Sequence, residues 1–205
     1  MKERPIIFSS EMVRAILEGR KTQTRRVIKP QLSESYIFLS FIDDLNGKEA
    51  VRKALWVDDN RIFDSNNPFK DTVQIKCLYG QPGDRLWVRE TFKLAGALFF
   101  RADGEPGREE LELYPNWKWK PSIYMPRCFS RINLEVVNIR VERVQDISPE
   151  DVLAEGMPDG IAVGDLEQIK WFANLWDSIN AKRGFSFEEN KWVWVVEFKV
   201  VEEGA

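Results

Sequence analysis

The segment from Trp192 to Val200 constrains the fold most strongly, because its residues alternate as they do in a β-strand. Large apolar residues occupy every second position on one face: Trp192, Trp194, Val196, Phe198 and Val200. Val193 and Val195 lie on the opposite face, so that the first half of the segment is apolar on both sides. A strand with two apolar faces is typical of a sheet interior. The segment therefore predicts a central strand.

Helical segments accompany this strand pattern. Three helices are predicted from apolar residues at helical spacing between capping residues and glycines: from Ser9 or Ser10 to about Gly19, from Ser148 to Gly156, and from Asp165 to Gly184. Further strands are expected from Leu86 to Glu90 and from Ile132 to Val144, where the apolar face shifts near Val136 and indicates a bulge. With 205 residues, 43% of them hydrophobic, the chain is expected to form one α+β domain covering residues 1–205.

Residues 29 to 70 contain strong turn-forming sequences, Asn46-Gly47 and Asn66-Asn67-Pro68, with only short apolar pieces between them. The segment is therefore predicted to be a loop-rich insertion. Short strands are expected within it from Tyr36 to Ile42 and from Leu55 to Val57.

The chain contains no histidine, which excludes Ser-His-Asp and Cys-His catalytic sites and removes the commonest metal ligand. Its two cysteines, Cys77 and Cys128, do not have the spacing of a zinc site and are predicted to be buried, inert thiols. No cofactor and no metal are expected, and a magnesium site made of carboxylates alone stays open.

The net charge of −3 argues against a protein that coats nucleic acid through its backbone charges. Basic residues nevertheless cluster near the start of the chain, at Arg20, Lys21, Arg25, Arg26 and Lys29. Local contact with RNA and a solvated basic face are both consistent with this cluster. The sequence has no apolar run of the roughly 20 residues needed to span a bilayer and no signal-like segment, so a cytoplasmic protein without membrane contact is expected.

The polar run from Gly19 to Arg26 lies where the first predicted helix meets a predicted strand. Thr22, Thr24 and Arg26 would share one face of that strand, and Lys21 lies three residues before Thr24. Such a threonine can act as a nucleophile with the lysine as its base, if burial or neighbouring cations lower the lysine pKa. From spacing alone, a solvated strand edge remains the alternative interpretation.

Three motifs of the chain together resemble the ASCH domain. They are Gly19-Arg20-Lys21-Thr22-x-Thr24-x-Arg26, Gly83-Asp84-Arg85-Leu86-Trp87-Val88, and Trp192-Val193-Trp194-Val195-Val196-Glu197-Phe198. The resemblance covers nearly the whole chain and extends to the longer ASCH proteins of bacteria and their prophages. It implies a small PUA-like β-barrel with flanking helices, and insertions at about 29–70 and 103–126.

The resemblance also implies a reaction. A small bacterial ASCH protein is an N(4)-acetylcytidine amidohydrolase, and its motif matches Lys21 as proton acceptor and Thr24 as nucleophile. Its proton donor is a glutamate that corresponds best to Glu155, with Glu150 as the alternative. Whether Thr24 forms a covalent intermediate or Lys21 activates water instead is left open.

Four further residues are candidates for binding the substrate: Arg26, Trp87, Glu90 and Thr22. Trp87 could stack on a pyrimidine and Glu90 could accept a hydrogen bond from a base edge, whereas core packing and an arginine partner are the structural alternatives. Arg26 could stabilise the oxyanion or orient Glu155.

Two other functions remain open from the sequence, a non-catalytic RNA-binding module and a metal-dependent nuclease of single-stranded RNA. The sequence does not distinguish a nucleoside from a nucleotide or RNA as the substrate. It also allows either a monomer or a homodimer.

Overall fold

The computed structural model describes residues 1–44, 51–59, 72–161 and 164–201. The predicted turns at Asn46-Gly47 and Asn66-Asn67-Pro68 lie outside these residues. Within them the fold is α+β, as the sequence predicts. In the same ranges, the helices are all too short or too polar to cross a membrane.

The strands and helices of the described residues are numbered in chain order. The strands are β1 (Glu3–Ile7), β2 (Gln23–Val27), β3 (Tyr36–Asp44), β4 (Val51–Asp58), β5 (Thr72–Lys76), β6 (Arg85–Arg89), β7 (Phe92–Ala95), β8 (Ala97–Phe100), β9 (Asn133–Arg143) and β10 (Trp192–Val201). The helices are α1 (Ser10–Leu17), α2 (Arg108–Leu113), α3 (Pro149–Ala154) and α4 (Asp165–Asn180).

A five-stranded sheet in the order β1-β6-β9-β10-β2 forms the centre of the molecule. Strand β10 lies between β9 and β2, which confirms the prediction of a central strand. One of its faces packs Val193 and Val195 against the α3 and α4 helices. Its other face contributes Trp194, Val196 and Phe198 to the larger core, which contains residues from β1 and β6.

The register of β9 against β10 confirms the predicted bulge. Glu197 pairs with Asn138 whereas Phe198 pairs with Val136, so that Val137 is the extra residue. A bulge of this kind increases the local bend of a strand. The bend turns the sheet towards itself without joining its ends.

The predicted closed β-barrel is not found among the described residues, because no backbone ladder joins the edge strands β1 and β2. The two edges meet through a side chain instead, since Arg26 of β2 donates from Nη2 to the carbonyl oxygen of Ile7 at 2.6 Å. This contact uses a side chain and not the backbone N–H groups of β2, so it does not extend the ladder. The sheet is therefore coiled and open.

Strands β3, β4 and β5 form a second, antiparallel sheet. The strands predicted from Tyr36 to Ile42 and from Leu55 to Val57 are confirmed within β3 and β4, which are longer than predicted, so the described part of residues 29–70 contains more strand than a loop-rich segment would. A register shift between Phe38 and Ser40 interrupts the alternation from which a long strand would be predicted. The sheet packs on the central sheet through aromatic rings, with Trp56 and Phe41 at 6.2 and 6.3 Å from Trp194.

The region around residues 103–126 has little regular structure beyond α2, a helix that buries none of its residues. Both cysteines are free. Cys77 is buried as predicted, and burial raises the pKa of its thiol to about 11, which keeps it unreactive. The prediction is wrong for Cys128, which is exposed because the short turn that carries it, Arg127–Phe129, lies at the surface.

Candidate active site

Lys21 lies at the corner between α1 and β2 that the sequence predicts. Helix α1 begins after Ser9, whose hydroxyl accepts a hydrogen bond from the Met12 N–H, and it is followed by Gly19 with a φ of 75°. The Lys21 N–H then donates to the carbonyl oxygen of Ala15 at 2.9 Å, which turns the chain back along the helix. This turn directs Lys21 inward, and only 1% of the residue is exposed.

Glu155 is placed by the end of α3, again as the sequence predicts. The hydroxyl of Ser148 accepts from the Asp151 N–H at 3.2 Å and starts the helix. The helix ends at Glu155, and Gly156 follows with a φ of 95°. An isolated β-bridge then holds the backbone of Glu155 beside that of Lys21.

The side chains of Lys21 and Glu155 form a buried ion pair. Lys21 Nζ donates to Glu155 Oε2 and to the Glu155 carbonyl oxygen, both at 2.7 Å. Burial lowers the pKa of the Lys21 amine, the charge of Glu155 opposes this effect, and Arg26 and Arg25 add to it. Glu150, the alternative carboxylate, is exposed on the first turn of α3 and makes no such pair.

Arg25 extends the pair into a network that sequence reasoning did not anticipate. Its Nη1 donates to Glu155 Oε1 at 3.4 Å, so that each oxygen of Glu155 faces a different cation. Its Nη2 donates to Asp151 at 2.6 Å and to Glu142 at 2.9 Å. From the sequence, Arg25 is predicted only to be a member of the basic cluster near Lys21.

Thr24 lies on β2, directly opposite Val196 of β10, and is 2% exposed. It lines a cavity of about 440 Å³, a volume within the range of small-molecule sites. Within the described part of the chain, no hydrogen bond joins the Thr24 hydroxyl to Lys21. Lys21 is instead held by Glu155, so that Thr24 and the pair are neighbours at one cavity rather than a preformed dyad.

Glu155 also lines this cavity, whereas Lys21 lies behind it. A second cavity of about 510 Å³ between α1 and α4 is also lined by Glu155, together with Gly156. Glu155 therefore lines both cavities, and Lys21 lines neither.

Arg26 is the predicted binding residue that the structure brings to the cavity. Its guanidinium lies 5.0 Å from the centre of the Phe8 ring and donates to the Ile7 carbonyl oxygen. Its Nε is buried without a hydrogen-bond partner in the described residues. Burial lowers the Arg26 pKa, Tyr79 opposes this shift and Arg183 adds to it. Arg26 thus offers a cation with an unused donor.

Trp87, Glu90 and Thr22 do not line the cavity. Trp87 is buried on β6, where the Arg89 guanidinium lies 4.6 Å from the centre of its ring. Glu90 is buried and accepts two hydrogen bonds from Arg131, at 2.9 and 3.0 Å. Core packing of Trp87 and an arginine partner for Glu90 are the structural alternatives that the sequence left open. Thr22 is exposed to solvent.

Besides Arg25, three cations that line the cavity were not identified as site residues from the sequence: Lys29, Lys76 and Arg183. Lys29 belongs to the basic cluster near the start of the chain and could have been found from it. Lys76 at the end of β5 and Arg183 after α4 are distant in sequence and follow no motif. Only the tertiary structure brings them to Thr24.

The described residues contain no group of three His, Cys, Asp or Glu side chains arranged to hold a metal ion. Comparisons of the chain with protein-family models, with curated proteins and with solved structures find no match. The functional conclusion therefore depends on the geometry of the site and on the sequence motifs.

Proposed function

We propose that this chain is an amidohydrolase that removes the acyl group from N(4)-acetylcytidine or a related N(4)-acylated cytosine nucleoside. The observation that carries the proposal is the buried Lys21–Glu155 pair at the wall of a cavity that Thr24 also lines. These are the three residues to which the ASCH resemblance assigns the base, the acid and the nucleophile. We also propose that the central sheet is related to the PUA-like fold and that the protein is cytoplasmic.

The Lys21–Glu155 pair can serve as both base and acid because it holds one mobile proton. Transfer of that proton across the 2.7 Å hydrogen bond converts the ion pair into a neutral amine and a neutral carboxylic acid. Burial lowers the Lys21 pKa and thereby favours the neutral amine. The neutral form contains the base and the acid that the reaction needs at the same time.

In the first half of the proposed reaction, Thr24 Oγ1 attacks the acyl carbonyl carbon and Lys21 takes the hydroxyl proton. The bond from that carbon to N4 then breaks, and Glu155 donates its proton to N4, so that the cytosine amine leaves. The pair ends as ammonium and carboxylate, and Thr24 carries the acyl group. Lys21 must approach Thr24 when substrate binds, because the two share no hydrogen bond in the structure.

In the second half, the proton returns from Lys21 to Glu155 and a water molecule attacks the acyl carbon. Lys21 takes a proton from the water, Glu155 protonates Thr24 Oγ1 as its bond to carbon breaks, and the carboxylic acid leaves. The unused Nε–H of Arg26 is the proposed donor to the oxyanion in both halves. Direct attack by water without an acyl intermediate would use the same pair.

A non-catalytic RNA-binding module is the second candidate. The observation that favours it is the set of basic side chains around the cavity, including Lys29, Lys76 and Arg183. This function predicts RNA binding that weakens with salt and survives Lys21→Ala with a modest loss. The amidohydrolase proposal requires one chain and one nucleoside. It depends neither on RNA as a partner nor on an oligomeric state.

The test is to incubate the purified protein with N(4)-acetylcytidine, with and without a chelator, and to measure cytidine by chromatography. Thr24→Val keeps a similar shape without the hydroxyl and should lower the rate by at least about 100-fold. Lys21→Met should have a similar effect because it removes the base. Thr24→Ser, which keeps a hydroxyl, is the matched control and should retain measurable hydrolysis.

Circular dichroism establishes that each variant is folded. Hydrolysis by Thr24→Val at the rate of the unmodified protein would exclude Thr24 as the nucleophile. Absence of cytidine release by the unmodified protein, from the acetyl substrate and from an N(4)-benzoyl analogue, would reject the amidohydrolase. Chelator-sensitive release would contradict the mechanism, in which no metal takes part.

A further inference from the structure

The cavity beside Thr24 carries an excess of positive charge. The described residues that line it include five cations, Arg25, Arg26, Lys29, Lys76 and Arg183, and a single carboxylate, Glu155. Glu155 already accepts hydrogen bonds from Lys21 and Arg25. Its single negative charge also acts on Arg26, so that five lining cations share one carboxylate.

Four of these cations have no carboxylate partner within the described part of the chain: Arg26, Lys29, Lys76 and Arg183. Arg26 donates to a backbone carbonyl, and Lys29 Nζ lies 5.0 Å from the centre of the Phe185 ring. Cations elsewhere are commonly paired, as Arg131 is with Glu90 and Asp103. What distinguishes Arg26, Lys29, Lys76 and Arg183 is that all four line the same cavity.

The four cations come from separate parts of the chain. Arg26 lies on β2, Lys29 two residues beyond that strand, Lys76 at the end of β5 and Arg183 in the turn after α4. The charges of Arg26 and Arg183 are close enough that Arg183 lowers the Arg26 pKa. Convergence of like charges raises the free energy of the fold unless an anion binds among them.

We propose that the cavity binds a phosphate group of its ligand, so that the preferred substrate is the 5′-monophosphate of an N(4)-acylated cytidine rather than the free nucleoside. This inference depends on the amidohydrolase proposal for the identity of the base. A phosphate dianion accepts several hydrogen bonds at once, which suits a cavity lined by four cations that have no carboxylate partner among the described residues.

A mononucleotide fits the distribution of charge better than an RNA strand does. The unpaired cations surround one cavity of about 440 Å³ rather than forming a stripe along the surface. The chain as a whole has a net charge of −3, which repels an extended polyanion. A single phosphate inside the cavity would interact only with the cations that line it.

The test is to measure binding of cytidine 5′-monophosphate and of cytidine by isothermal titration calorimetry, which does not require turnover. The monophosphate should bind about tenfold or more tightly than cytidine, because charge-assisted hydrogen bonds to phosphate are among the strong ones. This preference should decrease as salt increases. A short oligocytidylate forms the third arm and should bind more weakly than the monophosphate.

Arg183→Gln and Lys76→Gln should each reduce the affinity for the monophosphate by about fivefold or more, since each removes a charge facing the phosphate. Lys182→Gln is the matched control, because Lys182 is the exposed neighbour of Arg183 and does not line the cavity. Circular dichroism of all three variants checks the fold. Equal losses in Arg183→Gln and Lys182→Gln would overturn the assignment of the phosphate to the cavity.

The outcomes separate this inference from the proposed function. Equal affinities for monophosphate and cytidine would overturn the inference, even if N(4)-acetylcytidine is hydrolysed. Tighter binding of the oligocytidylate would also overturn it, in favour of RNA. A preference for the monophosphate that depends on Arg183, in a protein that hydrolyses neither substrate, would support the phosphate site and reject the amidohydrolase.

Discussion

Three charged side chains at the centre of the site, Lys21, Arg25 and Glu155, are almost completely removed from water. Burial of a charge is costly unless it is paired and hydrogen-bonded. Each of the three is therefore held in place by the others, and substitution of one leaves its partners buried without compensation. Such a cluster beside a cavity is a recognised feature of catalytic sites.

Asp151 anchors this cluster and allows a prediction about acid stability. Burial raises the Asp151 pKa, but the hydrogen bond from Arg25 and the charges of Arg25 and Arg140 outweigh burial and lower it below 3.8. A carboxyl group with a lowered pKa contributes stability above its unfolded pKa, and this contribution is lost as the pH falls through the folded value. The free energy of unfolding should thus decrease as the pH falls below about 3.8.

Asp151→Asn should remove this part of the pH dependence and reduce the free energy of unfolding at pH 7 by roughly 1–3 kcal/mol. Urea denaturation of both proteins at a series of pH values provides the measurement. Asp165→Asn is the control, since Asp165 lies in the first turn of α4 and has no ion pair among the described residues. Parallel pH profiles for Asp151→Asn and the unmodified protein would contradict the prediction.

At the scale of secondary-structure elements, the site depends on how closely two helix ends approach each other. Gly156 follows α3, and a Cβ atom placed on it would lie 2.9 Å from the Cβ atoms of both Ala15 and Lys21. Its φ of 95° is also a conformation that other residues rarely adopt. Gly156 therefore permits the contact between α1 and the Lys21–Glu155 bridge.

Gly156→Ala should destabilise the protein and lower activity, because the added methyl group pushes Glu155 away from Lys21. Gly19→Ala is the matched control, since Gly19 follows α1 with a φ of 75° and a Cβ there would meet nothing within 4 Å. The control should lose about 1–2 kcal/mol from its backbone conformation. Gly156→Ala should lose about 1–3 kcal/mol more through overpacking.

Thermal or urea unfolding of both glycine variants gives the difference, and hydrolysis of N(4)-acetylcytidine gives the effect on the site. Equal losses of stability in the two variants would show that the close contact at Gly156 contributes nothing.

At the scale of the whole molecule, the central sheet and the β3-β4-β5 sheet share one hydrophobic core. Trp56 of β4 is fully buried between them and lies within 6.5 Å of the rings of Trp192 and Trp194. The core cluster contains residues from both sheets. A shared core of this kind is expected to unfold cooperatively.

Trp56→Ala should therefore destabilise both sheets together, by about 3–5 kcal/mol, through the cavity that it creates. Far-ultraviolet circular dichroism and tryptophan fluorescence should give coincident unfolding transitions in the unmodified protein and in the variant. Leu111→Ala, a truncation on the exposed face of α2, is the control and should change stability little. Separate transitions for the two probes would show that the sheets unfold independently.

Much of the local structure was predictable because it depends on residues close together in the sequence. Ser9 and Ser148 cap helices, Gly19 and Gly156 end them, and the alternation around Trp194 identifies a central strand. Even the β9 bulge follows from a shift in the apolar pattern. Lys21, Thr24 and Glu155 were named from motifs; Thr24 and Glu155 line one cavity, and Lys21 is hydrogen-bonded to Glu155.

The tertiary structure alone decided which distant groups meet. No sequence pattern predicts that β1 and β2 would stay unpaired, with Arg26 bonded to Ile7 between them, because closure depends on how two remote edges approach. The same holds for Lys76 and Arg183, which reach the cavity from unrelated elements. The sequence by itself thus determined helix ends and strand faces, since these are set by local geometry, whereas the candidate catalytic residues came from the resemblance of its motifs to the ASCH domain. Packing of remote elements determined the open sheet, the buried charge network and the basic cavity, since long-range contacts leave no periodic mark on the chain.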